Sequence, residues 1–94
     1  MIRSYKDRRV KGLYEGENIC AWAAIQRQAE RRLRVLDVAD RLETLMLLPG
    51  NRPEALRGKR EGQYSIRINN QWRICFRWPA DSDGPEDVEV VDYH

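Results

Sequence analysis

Apolar residues change their spacing once along the chain, and the change separates a helical part from a sheet part. In the first part they recur at steps of three and four residues, the period of one face of a helix. They are Trp22, Ile25, Ala29, Leu33 and Leu36 and, after a bend near residues 37–40, Val38, Leu42, Leu45 and Met46. Pro49-Gly50-Asn51 is typical of a turn and ends the helical part.

Two shorter elements are predicted before this helix. Ile2–Tyr5 is expected to form a short strand. Asp7 is placed to cap a helix that runs to Tyr14, and Gly16 is a suitable stop for it.

Beyond Pro53 the apolar spacing becomes two, which predicts half-buried strands. The apolar positions are Tyr64, Ile66 and Ile68 in one strand and Trp72, Ile74, Phe76 and Trp78 in the next. Residues 69–71 fit a three-residue connection, because Asn tolerates the positive φ of tight turns. A final strand is expected at Val88–His94, after an acidic loop at Pro79–Pro85.

The predicted fold is α+β. A short N-terminal strand and two or three helices pack on one face of a twisted antiparallel sheet. At 94 residues the chain is expected to form one domain, residues 1–94.

The predicted hairpin places Arg67 opposite Arg73 on the face away from the helices. Like charges on neighbouring strands are unfavourable unless an anion lies between them. A phosphate is the anion that we favour, because exposed arginine clusters often bind phosphates. The alternative is a carboxylate from the acidic C-terminal part of the chain.

Charge is unevenly distributed along the chain. Residues 80–94 contain six acidic residues and no Lys or Arg, so residues 1–79 hold all 17 basic residues against nine acidic ones. Fourteen of the 17 are arginine, whose planar fork matches phosphate, and this bias favours nucleic acid as a partner. A solvated basic surface is the alternative. The same two alternatives apply to a helical stripe formed by Arg27, Arg31, Arg34 and Arg41.

Several classes of protein are not expected. No apolar run approaches the length of a membrane span, and the first residues lack a signal-peptide core, so a cytoplasmic protein is expected. Cys20 and Cys75 are expected to be buried free thiols. One histidine and two isolated cysteines do not make a metal site, and without a glycine-rich phosphate loop no nucleotide cofactor is expected.

Four sequence segments resemble the HigB branch of the RelE superfamily. They are Asn51-Arg52, Glu54-Ala55-Leu56-x-Gly58, the stretch from Tyr64 to Ile74, and the ending Val91-Asp92-Tyr93-His94. The resemblance implies the toxin of a type II toxin–antitoxin module, a RelE-like fold, and an RNase that cuts translated mRNA in the ribosomal A site without metal. It also implies a HigA-type helix-turn-helix antitoxin as partner, with operator DNA bound only through the toxin–antitoxin complex.

The resemblance assigns roles to individual residues. Arg73 matches the strand arginine that stabilises charge on the phosphate, and Tyr93 and His94 match the terminal acid–base positions. Asp92 is expected to orient His94 or to accept a proton itself. The expected RNA or phosphate contacts are Arg57, Lys59, Arg60, Arg67 and Gln71.

Two positions depart from the family pattern. Glu54 stands where some HigB proteins have a histidine, and Arg57 stands where they have a lysine. Glu54 is a candidate base, but it is equally compatible with slow catalysis. Two other functions stay open, a gyrase poison of the related ParE branch and a non-catalytic RNA-binding or co-repressor module.

Overall fold

The computed structural model describes residues 1–92. The α-helices are α1 (Arg8–Tyr14), α2 (Gln26–Val38) and α3 (Leu42–Met46). The strands are β1 (Glu54–Ala55), β2 (Gln63–Arg67), β3 (Trp72–Arg77) and β4 (Glu86–Asp92). Short 3₁₀ helices occupy Cys20–Ile25, Pro49–Asn51 and Gly58–Arg60. The predicted α+β class is confirmed.

The sheet is antiparallel, and its strands lie in the order β1-β2-β3-β4. Arg67 lies opposite Arg73 and Ser65 opposite Cys75, as the three-residue connection predicted. Asn69 holds the turn, because its Oδ1 accepts from the backbone N–H groups of Gln71 and Trp72, both at 2.8 Å. β1 was not predicted, because two residues are too few to show alternation.

The N-terminal segment differs from the predicted short strand at Ile2–Tyr5. It forms no full strand, and its only ladder contact within residues 1–92 is a parallel bridge from Tyr5 to Val88. Two features interrupt the pairing: Pro85 has no N–H to donate, and the backbone at Asp87 turns to a φ of 52°. The Asp87 N–H then donates to the Ser4 side chain at 2.9 Å.

The first helix has the predicted ends. Asp7 accepts from the Arg9 N–H at 2.9 Å and thereby caps α1. Gly16 follows the helix with a φ of 98°, which favours glycine. The long predicted helix is divided instead, because Trp22 leaves helical geometry and the stretch before α2 is 3₁₀.

The core lies between the helices and one face of the sheet. It joins Leu13, Leu33 and Leu36 of the helices to Ile66, Ile74, Phe76 and Val90 of the strands. Trp22 and Trp78 are buried in it, as predicted. Among residues 1–92, no helix combines the length and the apolar character needed to span a membrane.

Two burial predictions are wrong. Cys20 is exposed at the start of its 3₁₀ helix, whereas Cys75 is a buried free thiol. Val38 is 71% exposed because α2 ends there and the chain turns away from the core before α3.

Candidate phosphate-binding site

A cleft of about 340 Å³ lies across the ends of β1, β2 and β3 on the polar side of the sheet. Its lining consists of Arg52, Glu54, Arg67, Asn69, Asn70 and Arg73, and we call it the arginine cleft. Three arginines and one glutamate give this lining a formal charge of +2. The cleft is therefore suited to an anion.

Arg73 is the most deeply placed of the three arginines. Its residue is 8% exposed, although arginine is rarely buried unless it is paired. The guanidinium Nε donates to the Ser65 Oγ at 2.8 Å, and Nη2 donates to the backbone carbonyl of Arg52. Ser65 is fully buried. The guanidinium is thus fixed from two sides, by β2 and by the loop before β1.

The loop that carries Arg52 is itself held in place. Arg52 has a left-handed backbone, with φ 43° and ψ 59°, although the next residue, Pro53, disfavours that conformation. The preceding Asn51 is buried and accepts from the Arg32 guanidinium of α2 at 2.9 Å. Backbone strain of this kind persists where surrounding contacts fix it, and it often marks a functional site.

Arg67 completes the cationic side of the cleft. It is half-buried, lies opposite Arg73, and donates to the Oδ1 of Asn70 in the following turn. A carboxylate also lines the cleft, that of Glu54 in β1. Glu89 of β4 instead binds Arg60 at 3.2 Å and Lys6 at 3.5 Å.

Within residues 1–92, the other predicted site residues do not line the cleft. Arg57 and Lys59 are exposed at the Gly58–Arg60 turn, and Arg60 is turned towards Glu89 and Gln63. Gln71 donates to Asp92 at 3.1 Å, which joins the β2–β3 turn to the end of β4. Tyr93 and His94 lie outside the described residues, so their predicted roles stay predictions.

Sequence reasoning missed four members of this site. Arg52, Asn69 and Asn70 line the cleft, and Ser65 holds Arg73 from below. The hairpin register could have indicated Ser65. Ser65 and Arg67 are two residues apart on β2 and therefore share one face of the sheet. Arg52 gave no such signal, since its contact with Arg73 is made by the backbone.

The thiol of Cys75 lies on the same polar face, directly opposite Ser65. Burial raises the pKa of this thiol to about 11. It therefore stays protonated near neutral pH and is a poor nucleophile.

Solved structures with this architecture include a toxin–antitoxin complex and a separate toxin. The YoeB–YefM complex of Staphylococcus aureus contains a chain that matches with a TM-score of 0.61 and 19% identity, covering 100% of this chain and 98% of that chain. A YoeB/ParE toxin from Agrobacterium tumefaciens matches with a TM-score of 0.52 and 19% identity, over 99% and 97% of the two chains. At this identity the likeness shows the fold alone.

Sequence comparison then defines the family. Residues 3–94 match the family model of HigB-like toxins, described as the RelE-like toxin of the type II toxin–antitoxin system HigB. Toxin HigB-1 of Vibrio cholerae serotype O1 is 35% identical over 80 residues, which span 83% of this chain and 84% of that protein. The chain belongs to the HigB-like toxin family, as the sequence motifs predicted.

Proposed function

We propose that this toxin is a ribosome-dependent endoribonuclease that cuts translated mRNA and thereby inhibits translation. The observation that carries the proposal is the arginine cleft, in which a buried, hydrogen-bonded Arg73 lies among Arg52 and Arg67. Fixed donors aimed at a phosphate stabilise the charge that develops during its reaction without reorganising.

The reaction that suits this site needs no metal. The ribose 2′-OH loses its proton to a base and attacks the adjacent phosphorus, so the O2′–P bond forms while the P–O5′ bond breaks. An acid then protonates the leaving O5′. Arg73, with Arg67 and Arg52 beside it, stabilises the additional negative charge on the phosphate oxygens.

Proton transfer is assigned to the carboxylates near the cleft and to the last two residues. Glu54 lines the cleft and is exposed, and we assign its carboxylate the role of accepting the 2′-OH proton. Tyr93 and His94 are proposed as the acid–base pair from the family resemblance, with Asp92 orienting His94. Exposed cations at Arg57 and Lys59 extend the RNA path from the cleft, together with Arg60 and Gln71.

The proposed partners follow from the family. A HigA-type antitoxin neutralises the toxin in the cytoplasm, and the complex binds operator DNA through the antitoxin. The Staphylococcus aureus neighbour was solved with its antitoxin YefM, which supports a protein partner for this fold.

Inducible expression tests the proposal. Growth should stop, and mapping of RNA 5′ ends should show transcripts cut within coding regions. Trapped DNA breaks with intact transcripts would instead indicate a gyrase poison, and normal growth at full expression would indicate a non-catalytic module.

The terminal acid–base pair has its own test. Deleting Tyr93 and His94 should lower mRNA cleavage by about 100-fold, the usual cost of losing one general acid or base. The melting temperature should fall little, because the deletion retains every core residue identified within residues 1–92. A truncated protein that melts normally and cuts at the full rate would remove both residues from the mechanism.

A further inference from the structure

We infer that Ser65 is a positioning residue for Arg73: its hydroxyl fixes the guanidinium so that the terminal nitrogens meet the RNA phosphate. The inference rests on the proposed function for its catalytic consequence. Its geometric part, a hydroxyl that holds an arginine, is independent of the reaction.

The contact is made between buried groups. The Ser65 Oγ accepts from the Arg73 Nε at 2.8 Å, and the two residues are 0% and 8% exposed. A hydrogen bond from a charged donor is stronger than one between neutral groups, and water cannot readily replace the hydroxyl at a buried position. The hydroxyl therefore determines where the guanidinium lies.

The contact is made at Nε, and this determines how the guanidinium is oriented. Nε is the guanidinium nitrogen nearest the side-chain stem, so a partner there sets the plane and rotation of the whole group. The Arg52 carbonyl accepts from Nη2 and supplies a second fixed point. Two fixed points on a planar group determine its orientation, and a misplacement of about 1 Å in a reacting site can cost about 100-fold in rate.

Serine also suits the position sterically. Ser65 lies in β2 opposite Cys75, and both residues are fully buried. A longer polar side chain would displace the arginine, and alanine would leave the Nε–H without this acceptor. The sequence shows Ser65 only as an ordinary strand residue without a nucleophile's partners; its role emerges from the contact with Arg73.

The test is a set of variants at Ser65 and at its neighbour. Ser65→Ala should lower kcat for mRNA cleavage by about 10-fold with little change in KM, because the guanidinium is retained but its Nε loses the acceptor that orients it. Ser65→Thr keeps the hydroxyl and should recover most of the rate. Cys75→Ala removes the buried side chain opposite Ser65 and should leave kcat near the wild-type value, which controls for lost packing.

Two further measurements separate positioning from a structural role. In an Arg73→Ala background, Ser65→Ala should have no additional effect on cleavage, whereas a purely structural role would lower the rate in both backgrounds. NMR of the Arg73 Nε–H group should show slow hydrogen exchange in the wild type and in Ser65→Thr, and fast exchange in Ser65→Ala. This signal does not depend on activity.

The results test the role of Ser65 separately from the proposed endoribonuclease function. Unchanged Nε exchange in a folded Ser65→Ala protein, or an equal loss of rate in the Arg73→Ala background, overturns the role of Ser65. If the wild-type protein cuts no RNA, the proposed function fails, and the Nε exchange alone then decides whether Ser65 holds Arg73.

Discussion

Two groups of arginines lie on opposite layers of this molecule and differ in how they are held. Arg52, Arg67 and Arg73 reach one cleft from three parts of the chain. The second group consists of three of the four α2 arginines, Arg27, Arg31 and Arg34, which come from successive turns of one helix and are exposed. Residue type and charge are the same in both groups.

The two groups differ in how their guanidinium groups are held in place. In the cleft, Arg73 is bound by a buried hydroxyl and by the carbonyl of a strained loop. Arg27, Arg31 and Arg34 instead line a groove with Tyr14, Val35 and Val38. Composition alone therefore does not identify a phosphate site; the difference lies in donors that are fixed before the ligand arrives.

The largest expected contrast comes from removing one arginine of each group. Arg73→Ala should abolish growth arrest, with transcript cleavage reduced by about 100- to 1,000-fold, the range for losing one such donor. Arg31→Ala removes the same charge from α2 and should keep the arrest. Full toxicity of Arg73→Ala at equal expression would exclude a phosphate role for Arg73.

A lysine at position 73 sharpens this result. Arg73→Lys keeps the charge but loses the fork that contacts Ser65 and Arg52 together. Toxicity should therefore fall substantially, measured in the same growth assay. A fully toxic lysine variant would mean that charge alone suffices.

The buried side of α2 should behave in the opposite way to its arginines. Leu33 is fully buried, so Leu33→Ala should lower the free energy of unfolding by about 2–5 kcal/mol. Arg31→Ala should change it by less than about 0.5 kcal/mol, as surface substitutions usually do. Urea denaturation of both variants measures the difference, and similar losses would contradict this packing of α2.

Salt dependence gives a smaller but independent contrast. Binding to ribosomes should weaken linearly with log salt, because phosphate contacts release counterions. Arg67→Ala should reduce that slope by about 1, and Arg31→Ala should leave it unchanged. A flat salt dependence for the wild type would argue against phosphate contacts.

The smallest expected effect concerns pH and lies in the helical layer. Burial and a hydrogen bond to Asp37 raise the pKa of Tyr14 to about 12. A raised pKa stabilises the fold fully below the ordinary value of 10, and this contribution is lost as pH rises towards 12. Tyr14→Phe should flatten that alkaline loss in thermal melts without affecting cleavage.

Asp37 should act at the other end of the pH range. The Ile2 N–H, and secondarily the Tyr14 hydroxyl, hold the pKa of Asp37 below 3.8. Its contribution is present above that ordinary value and is lost as pH falls through the lowered pKa. Asp37→Asn should reduce the fall of the melting temperature at low pH. An unchanged fall would contradict the stabilising contacts of Asp37 with the Ile2 N–H and the Tyr14 hydroxyl.

The sequence predicted what depends on periodicity and missed what depends on the backbone. Alternation predicted the β2–β3 hairpin and placed Arg67 opposite Arg73. It could not predict the two-residue β1, or the left-handed Arg52 whose carbonyl holds Arg73. Those features depend on tertiary contacts that leave no repeating pattern.

The wrong prediction of an N-terminal strand also has its origin in tertiary contacts. Ile2–Tyr5 has strand-like residues, but the irregular backbone of Pro85 and Asp87 limits its pairing to one bridge. Pro85 and Asp87 lie at least 80 residues further along the sequence, so no local pattern at residues 2–5 indicates their irregular backbone.

Cleavage of mRNA on purified, translating ribosomes tests the central claim most directly. Wild type, Arg73→Ala and Arg31→Ala should be compared at equal concentration, with product ends identified chemically. We expect fragments with 2′,3′-cyclic phosphate or 3′-phosphate and 5′-hydroxyl ends from wild type and Arg31→Ala, and almost none from Arg73→Ala. Equal cleavage by all three proteins would show that the arginine cleft is not the catalytic site.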